Sequence, residues 1–286
     1  MKDYKHRLAL ITAMAIFGTI GIFRRYIPLP SGTVALCRAA VGMLFLLLFL
    51  LCKRKKLDLG AIRKNWVKLL CSGAFLGFNW VLLFEAYKYT SVAAATLSYY
   101  MAPILLILAA PLLLGEHLTV KKGICAAVAL FGMVLVSGVL EAGVKNVTEL
   151  RGIFMGLLAA VLYAAIILLN KKMQGIDAID KTVVQFAVSV LVLLPYVIFA
   201  EDITFSAITP TALILLAVIG VLHTGLAYVL YFGAVGKLKA GTVALFSYID
   251  PVLAVLLSAL VLKEPMTILC GIGAVLVLGA AYVSEK

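Results

Sequence analysis

Three ionisable side chains lie within long apolar stretches of the sequence. Asp250 lies in FSYIDPVLAVLLSALVLKEP (246–265), His223 in ILLAVIGVLHTGLAYVLYF (214–232), and Arg38 in the apolar stretch 31–51. If these stretches cross a membrane, a charge at the bilayer centre costs about 2.5–3.5 kcal/mol on insertion scales. Each side chain must therefore face protein or water, and each is a candidate for binding a solute or carrying a proton.

Asp250 is followed directly by a proline. It lies about ten residues into the apolar stretch 240–262, near mid-depth for a helix that rises 1.5 Å per residue. A proline inside a helix frees a carbonyl one turn back and bends the helix, so we expect kinks at Pro103 and Pro251. A carboxylate beside freed carbonyls predicts a site for a substrate or a proton. The alternative is a structural ion pair between Asp250 and Arg38.

His223 and Arg38 each leave two interpretations open. Histidine has an unperturbed pKa of about 6.5, so His223 could carry protons; alternatively, it is a neutral side chain that donates to a backbone carbonyl. Arginine keeps its proton, so Arg38 could pair with Asp250 or Glu85, or bind a substrate carboxylate. Glu85 also lies three residues before Lys88, a spacing that allows a pair on one helix face.

Aromatic and polar side chains accompany these charges. Tyr99, Tyr100 and Tyr248 lie beside the two prolines and are the predicted walls of a cavity. Further candidates are Asn79, Trp80, Tyr163 and Tyr228. Aromatic rings beside an acid favour an amine-bearing ligand through cation–π contact.

Two further sets of residues have structural interpretations. We interpret Glu116 and Glu264, each at the end of an apolar stretch, as helix-capping or loop-pairing groups. Glycines four residues apart allow helices to approach closely, and the sequence carries two such pairs, Gly73 with Gly77 and Gly152 with Gly156.

The composition indicates which solvent surrounds these residues. Of 286 residues, 64% are hydrophobic and only 13% are charged, with a mean hydropathy of +1.14. Soluble domains carry about 25% charged residues, and even a large core needs a polar shell, so we expect an integral membrane protein. The five cysteines and three histidines form no metal-binding motif, which predicts neither a metal site nor a cofactor.

The apolar stretches predict the elements that position the candidate residues. A helix needs about 20 apolar residues to cross a bilayer, and only a helix satisfies its backbone groups within one segment. The sequence predicts an all-α fold of ten spans, at 8–27, 31–51, 67–88, 91–114, 120–140, 151–172, 181–200, 210–234, 240–262 and 265–283. The basic segment 52–66 is predicted to be a loop that anchors the topology, with binding of anionic lipid as the alternative.

The distribution of Lys and Arg predicts the orientation. With ten spans both termini lie on one side, which holds 18 of the 25 basic residues; the opposite side holds six, and Arg38 lies within a span. Positive charges are retained in the cytoplasm. We therefore expect a multi-pass protein of the cell membrane with both termini cytoplasmic.

The two halves of the sequence repeat. YYMAPILLILAAPLLLGEHLTVKKG (99–123) aligns without a gap on SYIDPVLAVLLSALVLKEPMTILCG (247–271). The constant shift of 148 residues pairs Tyr100 with Tyr248, Pro103 with Pro251, and Glu116 with Glu264. This predicts two five-span units, 1–143 and 149–286, and the odd number of spans inserts the second unit in the opposite sense. Inverted repeats are common among secondary transporters.

These residues resemble a known family. The two aligned segments, Arg38, and the stretches AYKYTSVAAATL (86–97) and GAVGKLKAGTVAL (233–245) are similar to the EamA branch of the drug/metabolite transporter superfamily over nearly the whole chain. The resemblance implies ten helices, cytoplasmic termini, a central cavity lined by spans 1–4 and 6–9, and peripheral spans 5 and 10. It implies no particular substrate.

The chain follows the family pattern at one functional candidate and departs from it at two places. An arginine in span two belongs to the pattern, which favours a structural role for Arg38. Phe17-Gly18 replaces the usual Trp-Gly, and Asp250 stands where a neutral residue such as Ala102 is usual. Asp250 is the larger departure.

We therefore expect a secondary transporter that moves a small organic metabolite, an amino acid or amine in the first place, by alternating access. Asp250 or His223 would provide any proton coupling. A lipid-carrier or nucleotide-sugar transporter on the same fold is the alternative. An enzyme is disfavoured because the sequence lacks H-E-x-x-H and carries a single deep acid. We expect no nucleic-acid partner, and a homodimer is allowed.

Overall fold

The computed structural model describes residues 2–90, 92–117, 119–137, 147–202, 208–261 and 267–285. Within these ranges every regular element is a helix. The helices are α1 (Lys2–Arg25), α2 (Ser31–Cys52), α3 (Leu59–Tyr89), α4 (Val92–Tyr99), α5 (Ala102–Leu114), α6 (Val120–Ser137), α7 (Val147–Lys172), α8 (Ala178–Ala200), α9 (Pro210–Val235), α10 (Ala240–Ser247), α11 (Ile249–Val261) and α12 (Ile268–Glu285).

Seven segments are long and apolar enough to cross a membrane. They are Tyr4–Arg24, Ser31–Cys52, Leu59–Leu83, Leu97–Leu114, Glu149–Lys172, Ala178–Ala200 and Pro210–Val235, and shorter apolar helices occupy Ala240–Ala254 and Ile268–Ser284. The all-α membrane fold predicted from the sequence is confirmed. The count of ten spans stays a prediction.

The prediction of a loop over 52–66 is wrong for its second half, because α3 begins at Leu59. Asp58 precedes the helix, and its side chain accepts a hydrogen bond from the Ala61 amide at 2.9 Å. This cap satisfies one of the amides that a helix start leaves without a partner. The basic residues Arg63 and Lys64 therefore lie on the first turns of a helix.

Two apolar stretches are broken where the sequence predicts kinks. The first stretch is divided between α4 and α5, with Pro103 in the first turn of α5, and the second between α10 and α11, with Pro251 in the first turn of α11. Because proline lacks an amide hydrogen, carbonyls near each break are free to bond elsewhere. The Tyr100 carbonyl accepts a hydrogen bond from the Tyr248 hydroxyl at 3.1 Å, so the two breaks lie side by side.

A wide helical turn interrupts α9. Residues Ile219–Leu226 are π-helical between two α-helical segments, and the Thr224 hydroxyl donates to the Ile219 carbonyl at 2.9 Å. Such π segments are rare and frequently occur at functional sites. Here the π segment packs against α2.

The helices form a central bundle and a peripheral pair. In the bundle α3 packs on α7 and α8, and α1 and α2 pack on α9; α1 also packs on α11, and α5 on α10. Outside it α6 packs along α12, where Gly132 lies so close to the Gly273 carbonyl that a Cβ would approach it to 2.8 Å. This agrees with the peripheral position that the resemblance implies for the fifth and tenth spans.

We name the two ends of the bundle by the chain direction. The terminal face is the end of the bundle at which α2, α5, α7 and α9 end, where Lys55 pairs with Asp177 and Lys171 contacts both Glu116 and the Leu238 carbonyl. The opposite face holds the end of α8 and the start of α2, which Glu201 joins.

Candidate functional site

Asp250 lies at the α10–α11 break and faces the interior. One carboxylate oxygen, Oδ2, accepts a hydrogen bond from the Tyr100 hydroxyl at 3.0 Å, across the two halves of the chain. Asp250 is a partly exposed residue. Gly18 of α1 packs against the same turn, since a Cβ on this glycine would lie 2.8 Å from the Asp250 carbonyl oxygen. The glycine of the Phe17-Gly18 pair therefore allows α1 to approach the carboxylate.

A continuous cluster of aromatic rings reaches this carboxylate through Tyr100. We call it the ring cluster, and it comprises Phe17, Trp80, Tyr99, Tyr100, Tyr163, Phe186, Tyr228, Tyr231, Phe232 and Tyr248. Tyr228 is its centre, with Phe17 at 5.0 Å and Trp80 at 6.1 Å between ring centroids. The Tyr163 and Tyr231 hydroxyls share a hydrogen bond at 2.7 Å.

The structure thus brings together all six aromatic residues selected from the sequence. Tyr99, Tyr100, Tyr248 and Trp80 all belong to the ring cluster. Tyr231 was missed, although its spacing of three residues from Tyr228 places both on one helix face. Phe17, Phe186 and Phe232 were also missed, and nothing in their sequence context separates them from other apolar residues.

Arg38 lies on α2 beside the ring cluster and is 8% exposed. Its Nε atom donates to the Thr224 hydroxyl in the π segment at 3.0 Å. The guanidinium carbon lies 4.7 Å from the centre of the Trp80 ring, a cation–π contact. Arg38 is therefore held on two sides, by a hydrogen bond and by an aromatic face.

Arg38 and Asp250 do not form a contact ion pair. The two charges interact electrostatically, but no nitrogen of Arg38 lies within 4.0 Å of a carboxylate oxygen in the described residues. The alternative of a direct structural pair between them is not seen in this conformation. Glu85, the other partner considered for Arg38, instead accepts a hydrogen bond from the Tyr196 hydroxyl.

His223 faces α1 and is fully buried. Its Nε2 atom shares a hydrogen bond with the Thr19 hydroxyl at 2.8 Å, and its ring packs edge-on against Phe23 at 4.9 Å. It makes no ring contact with the ring cluster in the described part of the chain. Asn79 does contact the ring cluster: its side-chain amide donates to the Ala159 carbonyl at 2.7 Å, and its Oδ1 accepts a hydrogen bond from the Tyr99 hydroxyl at 3.5 Å.

A second set of contacts closes the terminal face below the break. Glu116, at the end of α5, accepts a hydrogen bond from the Ala240 amide at 2.7 Å and pairs with Lys171 at 3.1 Å. Lys171 also donates to the Leu238 carbonyl. Glu116 therefore caps α10, which confirms the predicted capping role; its repeat partner Glu264 lies outside the described residues.

On the opposite face a different carboxylate caps α2. Glu201 follows α8, and its oxygens accept hydrogen bonds from the Gly32 and Thr33 amides, both at 2.7 Å. A carboxylate is well suited to a helix N-terminus because it complements the helix dipole. Both faces thus carry a carboxylate that joins helices of different halves.

Comparison with known proteins places the chain in a family. The sequence profile of the EamA-like transporter family matches residues 6–138 and again residues 150–285. The chain belongs to the EamA-like transporter family. The family is part of the drug/metabolite transporter superfamily, so the resemblance seen in the sequence is confirmed.

Curated relatives of this EamA-like chain have the same general description. It is 29% identical over 252 residues to "Uncharacterized transporter YxxF" of Bacillus subtilis, covering 87% of this chain and 79% of the relative. It is 28% identical over 267 residues to an "Uncharacterized transporter" of Vibrio cholerae, covering 91% and 85%. A solved structure titled "Crystal structure of protein" matches with a TM-score of 0.84 and 19% identity, over 98% of this chain and 96% of that one, which shows a shared fold.

The EamA-like protein is therefore a multi-pass membrane transporter. Family membership, the relatives' names and the apolar helices agree on this point. The two profile matches also support the two-repeat fold that the sequence predicts.

Proposed function

We propose that this EamA-like protein is a secondary transporter that carries a small amine-bearing organic metabolite, such as an amino acid or amine. The observation that carries the proposal is Asp250: it is a partly exposed residue at a helix break, and its carboxylate accepts a hydrogen bond from Tyr100 of the ring cluster. A carboxylate among aromatic faces binds an ammonium group by charge and by cation–π contact. In a bilayer such a charge persists only where it has a partner or water.

Alternating access follows from two opposed halves, 1–143 and 149–286. All residues of α10 are buried below the break, whereas Ile249, Asp250, Leu253 and Ala254 at the start of α11 are partly exposed. Together with the Glu116 contacts, this supports a conformation that is closed at the terminal face below Asp250. Exchange of the two halves would open that face.

The orientation in the membrane follows from loop charge. The side that holds both termini carries 18 of the 25 basic residues, against six on the opposite side. Because positive charges are retained in the cytoplasm, we propose that both termini are cytoplasmic and that the membrane is the cell membrane. We propose proton coupling through Asp250, because its carboxylate can bind either a proton or the solute cation and can exchange one for the other during the cycle.

The experiment is solute flux in sealed proteoliposomes. A panel of amino acids, amines and nucleotide sugars is first screened by thermal shift, and each compound that stabilises the protein is then tested for flux. Asp250→Asn is expected to abolish gradient-driven flux while the protein still inserts and elutes as a single species. The exposed Asp202, at the opposite face, provides the matched control Asp202→Asn, which should retain flux. Compounds that bind but never cross the vesicle membrane would overturn the proposal.

A further inference from the structure

Most hydrogen-bond donors of Arg38 are unused. A guanidinium carries five N–H donors, and in the described residues only Nε has a hydrogen-bond partner, the Thr224 hydroxyl. The four donors on Nη1 and Nη2 have none. Neither atom belongs to the fully buried side-chain atoms that lack a partner in the described part of the chain, so this edge of the guanidinium keeps access to the interior space.

The orientation of Arg38 is fixed on its other sides. Thr224 holds Nε, and Trp80 covers one face of the guanidinium. Thr224 is itself held by the π segment, because its hydroxyl donates to the Ile219 carbonyl. The Nη1–Nη2 edge is therefore presented as a preorganised fork, the geometry that matches a carboxylate with two parallel hydrogen bonds.

The fold does not need a charge at this position. Val41 packs on Gly220 as Val188 packs on Gly73. Arg38 and Gln185, each three residues before the corresponding valine, therefore occupy matching places in two similar helix crossings. Gln185 is fully buried, and its Nε2 donates to Ser72 at 2.6 Å. A neutral amide suffices there, so helix packing alone does not account for an arginine that is costly to place in a membrane.

We propose that Arg38 binds the carboxylate of the transported solute, which makes the substrate a zwitterion. Its carboxylate would lie on the Nη1–Nη2 edge of Arg38, and its ammonium group on Asp250 and the neighbouring tyrosines. This rests on the proposed function and narrows it, because a simple amine would leave the Arg38 donors without an acceptor.

The test compares matched ligands. Amino acids are paired with the amines that lack only the carboxylate, for example phenylalanine with phenethylamine and lysine with cadaverine, in thermal-shift, binding and flux measurements on the full-length protein. We expect the zwitterion of a productive pair to bind at least about tenfold more tightly than its amine, the difference that a charge-assisted bidentate contact provides. Arg38→Lys should reduce this preference, and Arg38→Gln should remove it.

A second variant changes the position of Arg38 but keeps its side chain. Thr224→Val keeps the shape of the side chain but releases Nε, so we expect weaker binding of the zwitterion and unchanged binding of the amine. If Arg38→Gln fails to fold, this variant alone decides the question. A preference for the zwitterion that survives Thr224→Val unchanged would argue against the preorganised fork.

Failure of this inference is distinct from failure of the proposed function. If amines cross the vesicle membrane as well as amino acids do, and Arg38→Gln retains both fluxes, the protein is a transporter in which Arg38 does not bind carboxylate. If neither class of compound crosses, both proposals are wrong.

Discussion

Two helix crossings in the molecule are each built on a pair of glycines, and the spacing of the two glycines differs by one residue. α3 crosses α8 at Gly73 and Gly77, and α9 crosses α2 at Gly220 and Gly225. The glycines are four residues apart in α3 and five apart in α9. A glycine pair lets two helices approach closely, and the extra residue in α9 is absorbed by the π segment, since a π turn accommodates one more residue than an α turn.

The extra residue also explains the register of the repeat. Gly73 corresponds to Gly220 at a shift of 147 residues, and Gly77 to Gly225 at a shift of 148. The shift of 148 then holds through the helix breaks, where it pairs Tyr100 with Tyr248. The second half therefore gained one residue relative to the first within the turn that carries His223 and Thr224.

The two crossings also differ in the charge that they hold. The α3–α8 crossing is neutral, with hydrogen bonds from Gln185 to Ser72 and from Ser189 to the Gly73 carbonyl. The α9–α2 crossing holds Arg38 at Thr224. One crossing holds helices together, and the other also presents a charge to the interior.

Among the glycine variants, Gly220→Ala should lower the stability of the protein most. A Cβ on Gly220 would overlap Val41 Cβ, and backbone movement is the only relief. We expect a loss of about 3 kcal/mol of stability, at the upper end for overpacking, measured by thermal or denaturant unfolding in detergent. Gly279→Ala is the matched control, because a Cβ there has no neighbour within 4 Å. Similar unfolding of the two variants would mean that the α9–α2 crossing is looser than described.

Gly225→Ala and Gly77→Ala compare how closely the helices pack at the second glycine of each crossing. A Cβ on Gly225 would lie 2.6 Å from Phe45 Cδ1, whereas on Gly77 the nearest atoms lie at 3.4 Å, an ordinary contact. Phe45 can relieve part of the overlap by rotating, so we expect Gly225→Ala to lower the free energy of unfolding by about 1–2 kcal/mol. Gly77→Ala should change it by less than about 0.5 kcal/mol. Equal losses at the two glycines would remove the distinction between the crossings.

Much of this arrangement could be predicted from the sequence. The apolar stretches, the gap-free repeat and the prolines predicted the helices, the two halves and both breaks, because each depends on local composition or on backbone chemistry. Asp250, Tyr100 and Tyr248 were selected by their distance from the prolines, and they do meet. Glu116 was predicted to cap a helix or to pair with a loop, and it caps the start of α10 and pairs with Lys171.

Other features could not be predicted, for physical reasons. The π segment is invisible to helical periodicity, since its cause is an inserted residue that appears only when the glycine pairs of the two halves are compared. The early start of α3 was missed because the basic residues of 53–64 suggested a loop, while the Asp58 cap was overlooked. That Arg38 bonds Thr224 in place of Asp250 depends on which way α2 is rotated, which sequence alone does not specify.

Deletion of Leu222 would convert the glycine spacing of α9 to that of α3. Leu222 is 37% exposed, so its loss removes little packing. The residues after the deletion should still face the same neighbouring helices. We expect a folded protein whose flux falls by about tenfold, because the wide turn that places the Thr224 hydroxyl at Arg38 Nε closes to an α turn. Flux of a compound found in the solute screen is compared with that of the parent protein, after equal insertion has been verified. Unchanged flux would show that the π turn is not needed to present Arg38.

Gln185→Met should leave flux unchanged and tests the neutral crossing directly. The change removes the hydrogen bond from Gln185 Nε2 to Ser72, but the Ser72 hydroxyl still donates to the Leu69 carbonyl at 3.2 Å. The Gln185 Oε1 atom is fully buried and has no partner in the described residues, so its removal offsets part of the loss. We expect a change in stability of about 1 kcal/mol or less and full flux, whereas Arg38→Met at the matching position should abolish flux. If Gln185→Met reduced flux as strongly as Arg38→Met does, the two crossings would have the same role. Arg38 would then not identify the α9–α2 crossing as the one that binds the solute.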